Sequence, residues 1–241
     1  MRVFSGCDIG RVRAENQDQV CVKSFADGIL ALVCDGMGGM QGGKDAGIIA
    51  AAAAGSRFTA DYHEGMSEVA LSELMRNMTA DANHAVYLAA SSANLRQRMG
   101  TTLVGVFLRD NQCWIVNVGD SRAYLLGDES IRQLTVDHTV VQLLYERGDI
   151  KAEERFAHPR RNELTRAIGV MPRVLVDSFH YTLSAGESLL LCSDGLYGML
   201  TEEEILAVIK ESSPEQATER LIQRANENGG RDNISAVLLL P

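Results

Sequence analysis

The sequence predicts an α+β fold: a central antiparallel β-sandwich flanked by pairs of α-helices. Three observations carry that expectation. The order of patterns is strands, two helices, many strands, two helices and one strand. Short turns such as Asp110-Asn111 and Gly127-Asp128 separate consecutive strands, which favours antiparallel pairing. The strands are almost continuously apolar, as in sheets covered on both faces. No Pro-, Ser- or Gly-rich linker divides the 241 residues, so a single domain over 1–241 is expected.

Taken in order, residues 1–9 alternate loosely and read as a first strand. GRVRAENQD (10–18) is a polar loop, 20–25 a second strand, and 29–34 a third after the turn at Asp27-Gly28. That third run, ILALVC, stops at Asp35, and Gly36, Gly38 and Gly39 mark a turn that backbone or ligand can approach closely. Residues 44–62 and 67–92 are too long and too rich in Ala and Leu for strands. In the second, Val69, Leu71, Leu74, Met75, Met78, Ala82 and Val86 recur at helical spacing. Strands are expected over 101–108, 113–118, 123–126 and 131–134. Residues 138–147 read as a short amphipathic helix, 148–172 as an irregular Arg-rich segment, and 174–183 and 188–192 as strands. Thr201 with Glu204 makes a capping box for a helix to about residue 211. Ser213, Pro214 and Gln216 give the same signal for a helix to about residue 226, and residues 234–240 close the chain as a strand.

The net charge of −9 argues against nucleic acid as a partner, because phosphate backbones need Lys and Arg clusters. No glycine-rich dinucleotide motif or P-loop is present. Ile48 to Gly55 (IIAAAAAG) is too short to span a bilayer, and Met1-Arg2 leads into no long apolar stretch of a signal peptide. The five cysteines are odd in number and none are spaced as a metal pair; they read as buried thiols in a reducing compartment. A cytoplasmic protein without a membrane anchor is expected.

The chemistry lies in acidic residues at strand ends. Asp35 follows ILALVC, Asp120 follows CWIVNVG and Asp194 follows SLLLCS, while Asp18 and Asp232 stand just before strands. One edge of a two-sheet core can gather all five. Crowded carboxylates repel one another and persist best around cations. No Cys/His set accompanies them, and oxygen-only ligation favours Mg²⁺ or Mn²⁺ over Zn²⁺ or Cu²⁺. Two such ions roughly 3.5–4 Å apart can activate a water and hold a phosphoryl group for in-line attack. Arg13, in the loop before Asp18, is the candidate for the remaining phosphate oxygens, since guanidinium forks match phosphate geometry. An exposed loop arginine is its plainer reading.

GRVRAENQD, DGMGG, GTTLVGVF, NVGDSRAYLL, HPRRNELTRAIG, CSDGLYGML and GGRDNISAVLL occur in this order. Over essentially all of residues 1–241 the chain resembles the metal-dependent type 2C (PPM family) serine/threonine protein phosphatases, particularly the compact bacterial ones. The resemblance implies hydrolysis of phosphoserine and phosphothreonine by an activated water, in one step, and it implies phosphorylated protein substrates, an opposing Ser/Thr kinase and a monomer. It implies two Mn²⁺ or Mg²⁺ ions with Asp35 bridging them, the Gly36 carbonyl on the second, and Asp194 and Asp232 on the first. Asp18 would hold water carried by the metal, Asp120 with Asp194 would form a third, weaker site, and Arg13 would bind phosphate. Residues 138–169 correspond to a mobile flap that tunes substrate choice and third-metal binding.

The chain departs from the family pattern at three places. Gln17 stands where Glu is usual, which removes a negative charge and implies weaker binding of the second metal. Met37 replaces the His proposed as general acid in animal members, as is common in bacterial ones, so the leaving oxygen would be protonated by metal-bound water or by another group. Met40 and Lys44 replace the usual His and Glu at the rim. All five aspartates are present, so an active enzyme is expected. Two other readings stand beside it: a silent fold that binds phosphorylated partners, toward which Gln17 leans, and a phosphatase of small phosphoesters. His63, His84, His138 and His180 read as surface or structural, Trp114 as core, and His158 as a functional candidate on HPRRN. Arg155, Arg160, Arg161 and Arg166 either meet acidic residues of a phosphopeptide or form a solvated charged loop.

Overall fold

The structure, a computed structural model, describes residues 1–38, 42–92 and 99–241. Gly39 and Met40, singled out in the sequence, lie outside the described residues. The strands are β1 (Arg2–Asp8), β2 (Asp18–Ser24), β3 (Ile29–Gly38), β4 (Met99–Thr101), β5 (Leu103–Arg109), β6 (Gln112–Val118), β7 (Arg122–Leu126), β8 (Ile131–Gln133), β9 (Asp177–Thr182), β10 (Ser188–Cys192) and β11 (Ile234–Leu240). The helices are α1 (Gly42–Asp61), α2 (Glu68–Ser92), α3 (Val140–Glu146), α4 (Asp194–Tyr197), α5 (Glu202–Glu211) and α6 (Pro214–Glu227).

Two antiparallel sheets form, in the orders β1-β11-β10-β7-β8 and β2-β3-β5-β6-β9, with β4 added to β3. Strand β3 shows why apolarity is continuous. Its Ile29, Ala31 and Val33 enter the layer between the sheets with Val104, Val106, Leu189, Leu191 and Val237. The alternate residues Leu30, Leu32 and Cys34 pack outward against Ala50, Phe58, Leu71 and Met78 of α1 and α2. On the far side Leu190, Cys192, Ala236 and Leu238 meet Ile205, Ala217 and Leu221 of α5 and α6. Both faces of each sheet are thus buried, and the layers are helices, sheet, sheet, helices, as expected.

Several boundaries differ from the pattern reading. β3 does not stop at Asp35; it runs to Gly38 because Gly36 and Met37 pair with Thr101 and Gly100 of β4. The expected strand over 101–108 is broken at Thr102, whose backbone turns to bond Asp35. β9 begins only at Asp177, and α4, unanticipated, follows β10 directly. Thr201 and Glu204 form the expected capping box. Ser213 caps α6 without a side-chain bond: the Gln216 N–H meets the Ser213 carbonyl instead, and Pro214 starts the helix. All five cysteines are free, but Cys7 is exposed and Cys21 only half-buried, which corrects the expectation of uniformly buried thiols. Trp114 lies in the core. Among the described residues no helix is long and apolar enough to cross a membrane.

Candidate active site

The five aspartates come from both sheets and meet at one rim. Asp18 opens β2 and sits directly opposite Asp35 of β3 in the ladder. Asp194 follows β10, Asp232 precedes β11, and those two strands pair, which brings their ends together. Asp120 occupies the turn from β6 in one sheet to β7 in the other.

Backbone and hydroxyl bonds fix these residues. The Asp35 N–H donates to Thr102 Oγ1 (2.9 Å), and its carbonyl accepts from the Thr102 N–H (2.9 Å) and the Thr101 hydroxyl (2.9 Å). The Ser193 hydroxyl donates to Asp18 Oδ2 (2.6 Å) while its oxygen accepts the Ser235 N–H (3.0 Å). Tyr197 donates to the Asp120 carbonyl (3.0 Å). Asn233 joins the loop 9–17 to the rim. Its Nδ2 donates to the carbonyls of Ile9 (2.9 Å) and Glu15 (3.0 Å), and its Oδ1 accepts the Gln17 N–H (2.9 Å). A side chain at Gly36 would meet the Gly43 carbonyl oxygen at 2.2 Å, so only glycine fits where the start of α1 crosses β3.

The electrostatics follow from burial first and from crowding second. Burial pushes the Asp18 carboxyl up to about 7, with Asp194 and Asp232 adding to the rise against the Ser193 hydroxyl. Burial, then Asp232, pushes Asp194 up to about 6. Asp35 and Asp120 stand well above the usual carboxylate range, through burial first and then through their acidic neighbours. Asp18 Oδ1 and Asp194 Oδ1 are buried without a hydrogen-bond partner. Orphaned carboxyl oxygens along the same acid rim suit a hard divalent cation. Among the described residues no three Asp, Glu, His or Cys side chains close into a ligand set by themselves. Pairs of carboxylates completed by backbone carbonyl and water, the habit of Mg²⁺, fit this donor set.

A cleft of about 430 Å³ opens above the rim. Asp120, Asp194 and Asp232 line its floor, and Thr139, Gln142, Arg155, Phe156 and Arg161 of the 138–169 segment line its wall. Arg13 stands at the edge, its Nη2 donating to Asp232 Oδ2 at 2.5 Å. Arg122, half-buried, also lines the cleft, paired with Asp137 (2.6 Å) and laid over the Tyr197 ring (3.6 Å). Of the four arginines of the 138–169 segment, Arg160 is engaged by Glu163 and Arg166 by Asp177, while Arg155 bonds Gln142 (2.6 Å) and stacks on Tyr145. Arg155 and Arg161 alone of the four line the cleft. His158 accepts the Arg160 N–H. Lys44 pairs with Glu15 (3.2 Å), and Met37 packs over Gly100.

Sequence reasoning missed Thr101, Thr102, Ser193, Tyr197 and Asn233. A weak signal was present only for Ser193 and Asn233, small polar residues beside Asp194 and Asp232 at the ends of apolar strands; Thr101, Thr102 and Tyr197 adjoin none of the five acids in sequence, and the near-complete burial of Thr102, Ser193 and Asn233 shows only in the fold.

A family model described as Protein phosphatase 2C matches residues 10–238. The serine/threonine phosphatase stp of Listeria welshimeri is 37% identical over 96% of this chain and 92% of its own length. Protein phosphatase PhpP of Streptococcus pneumoniae is 33% identical over 96% of this chain and 94% of its own. Among solved structures, the serine/threonine phosphatase Stp1 from Staphylococcus aureus superposes with a TM-score of 0.92 at 33% identity, covering 98% of this chain and 93% of that one. The catalytic domain of the serine threonine protein phosphatase PstP, in complex with two manganese ions, superposes with a TM-score of 0.82 at 32% identity, covering 98% and 96%. With the acid rim, the sandwich and these likenesses in agreement, the chain belongs to the protein phosphatase 2C family of metal-dependent protein phosphatases.

Proposed function

We propose that this enzyme hydrolyses phosphoserine and phosphothreonine esters on proteins and opposes a Ser/Thr kinase inside the cell, acting as a monomer built from one domain over residues 1–241. Asp35, the Gly36 carbonyl, Asp194 and Asp232 would hold two Mn²⁺ or Mg²⁺ ions, Asp18 would stand beside them, and Asp120 with Asp194 would hold a weaker third. The observation that carries this reading is the meeting of five aspartates from both sheets at one rim, with two orphaned buried oxygens among them. When bound, the two cations supply Lewis acidity, which lowers the pKa of water and offsets charge on phosphoryl oxygens.

The chain's own residues then have separable jobs. Arg13 offers a bidentate guanidinium to two phosphate oxygens from the edge of the rim. Asp18, anchored through Oδ2 by Ser193, leaves Oδ1 to orient the attacking water. Attack by water without a phosphoenzyme is supported by the nearby thiols and hydroxyl. Burial holds Cys34 protonated and pushes Cys192 up to about 12, and the Ser193 oxygen already serves Asp18 and Ser235. With Met at position 37, protonation of the leaving serine or threonine oxygen falls to another group.

The test is Mn²⁺-dependent phosphate release from a phosphothreonine peptide set against a sugar phosphate. Activity on the peptide should collapse in Asp35→Ala, Asp194→Ala and Asp232→Ala proteins that remain folded. Parental rates in those variants would overturn the metal assignment. Preference for the sugar phosphate would make the enzyme a small-ester phosphatase, and peptide binding without turnover would make it a silent phosphoprotein module.

A further inference from the structure

One carboxylate ties both ends of the flap together. Asp177, the first residue of β9, accepts the His138 Nε2–H on Oδ2 (3.1 Å) and the Arg166 Nη1–H on Oδ1 (2.6 Å). His138 begins the flap and Arg166 stands near its end. Asp177 lines no part of the cleft. We propose that Asp177 is a positioning residue which, through His138 and Arg166, clasps the base of the flap and sets the width of the cleft; the proposal rests on the reading of the cleft as the phosphatase site.

Each root of the flap is joined to backbone that places an acid. The buried His138 ring accepts the Gly119 N–H on Nδ1 (3.0 Å), and the His138 N–H donates to the Gly119 carbonyl (3.0 Å). Because Nδ1 is occupied as an acceptor, the ring proton must sit on Nε2, the atom that faces Asp177. Gly119 has φ +108°, a conformation other residues adopt with strain, and immediately precedes Asp120. At the other root, Ile168 exchanges two backbone bonds with Thr101 (3.1 and 2.8 Å), whose hydroxyl reaches the Asp35 carbonyl. Between the roots the flap contributes Thr139, Gln142, Arg155 and Phe156 to the cleft wall. Loosening the clasp therefore frees the wall while the bonds at the roots remain.

A merely structural ion pair would change stability and nothing else, so the test reads the flap directly. Amide hydrogen exchange is followed across the whole chain in Asp177→Asn and Arg166→Ala proteins, with Arg166→Lys as the conservative variant, and each is assayed on a phosphothreonine peptide. Loss of a charge-assisted bond should speed exchange of the 138–169 amides about tenfold, with the sheets unchanged. The peptide KM should rise about threefold to tenfold while kcat moves less than twofold, and Arg166→Lys should recover part of the loss. His138→Asn, which keeps an acceptor for Gly119 but cannot reach Asp177, should match Asp177→Asn. Flap exchange within twofold of the parent in Asp177→Asn and Arg166→Ala, or acceleration spread evenly over the chain, would overturn the clasp. Should Asp177→Asn fail to fold, Arg166→Ala decides the question alone, since its side chain is partly exposed. Exchange is read without turnover, so a parent inactive on phosphopeptides would sink the proposed function and leave the clasp to be judged separately.

Discussion

Replacing Asp18 by Asn should stabilise the metal-free protein and weaken the metal-loaded one. Asp18 is 3% exposed, and its carboxyl rises from 3.8 to about 7 in the folded state. The folded protein therefore binds a proton that the unfolded chain has lost between those two values. Stability of the metal-free form falls as pH rises through that window and levels off above about 7. The full cost above the window is about 4 kcal/mol. Asn keeps an acceptor for the Ser193 hydroxyl and carries no charge, so it should recover about 2–4 kcal/mol at pH 7.5. For a chain of 241 residues the unfolding entropy is near 0.5 kcal/mol/K, so Tm should rise by about 4–8 °C in EDTA. At pH 5 the gain should shrink to roughly half or less, because the parent's carboxyl is already protonated in the folded state. In saturating Mn²⁺ the order should reverse, since metal binding stabilises the parent by mass action and the variant less. Calorimetric melts at both pH values, in EDTA and in Mn²⁺, decide it. A variant less stable than the parent in EDTA at pH 7.5, or a difference that does not change with pH, would refute the account of the rim as a site of buried carboxylates that also repel one another.

Other expectations follow from the same rim. Arg13→Ala should raise the KM for a phosphothreonine peptide roughly tenfold or more, the loss of a charge-assisted fork, with Mn²⁺ affinity changed little; an unaltered KM would leave Arg13 as a loop arginine held by Asp232. Gln17→Glu places a carboxylate where the amide oxygen now reaches the first turn of α1, beside Gly43. Negative charge there favours cations and the helix start alike, so calorimetric titration should show Mn²⁺ binding several-fold tighter, and equal or weaker affinity would exclude position 17 from the metal field. Asn233→Ala should orphan the Ile9 and Glu15 carbonyls and the Gln17 N–H together, lowering stability by about 3 kcal/mol in urea melts; a loss under about 1 kcal/mol would mean that the loop does not depend on it.

The layers were legible because a strand buried on both faces has to be apolar at every position, and β3, β5, β10 and β11 are nearly so. The helices α1 and α2 were legible from length and spacing. The breaks were not. β3 continues past Asp35 only because β4 offers partners to Gly36 and Met37, and that strand comes 60 or more residues later. Gly36, which read as part of a turn, instead lies within β3 against the start of α1, where a side chain would strike the Gly43 carbonyl. The four-residue α4 is too short for any periodicity to show, although it alone aims Tyr197 at the Asp120 carbonyl.

The site divides along the same physical line. An acid that ends a buried apolar run cannot be there for packing, so Asp35, Asp120 and Asp194 announce themselves in one dimension. What holds them does not, because each bond spans the chain: Ser193 to Asp18 is 175 residues, Asn233 to Gln17 is 216, and Thr102 to Asp35 is 67. Such partners are chosen by the register of the sheets, and that register follows from the apolar strands. The hydrophobic layers therefore do two things at once. They carry the fold, and they hold five acids close enough to repel, a cost that only a cation can turn into attraction. A chain whose layers were less rigid would relieve that repulsion by spreading the strand ends, and would lose the affinity for metal with it.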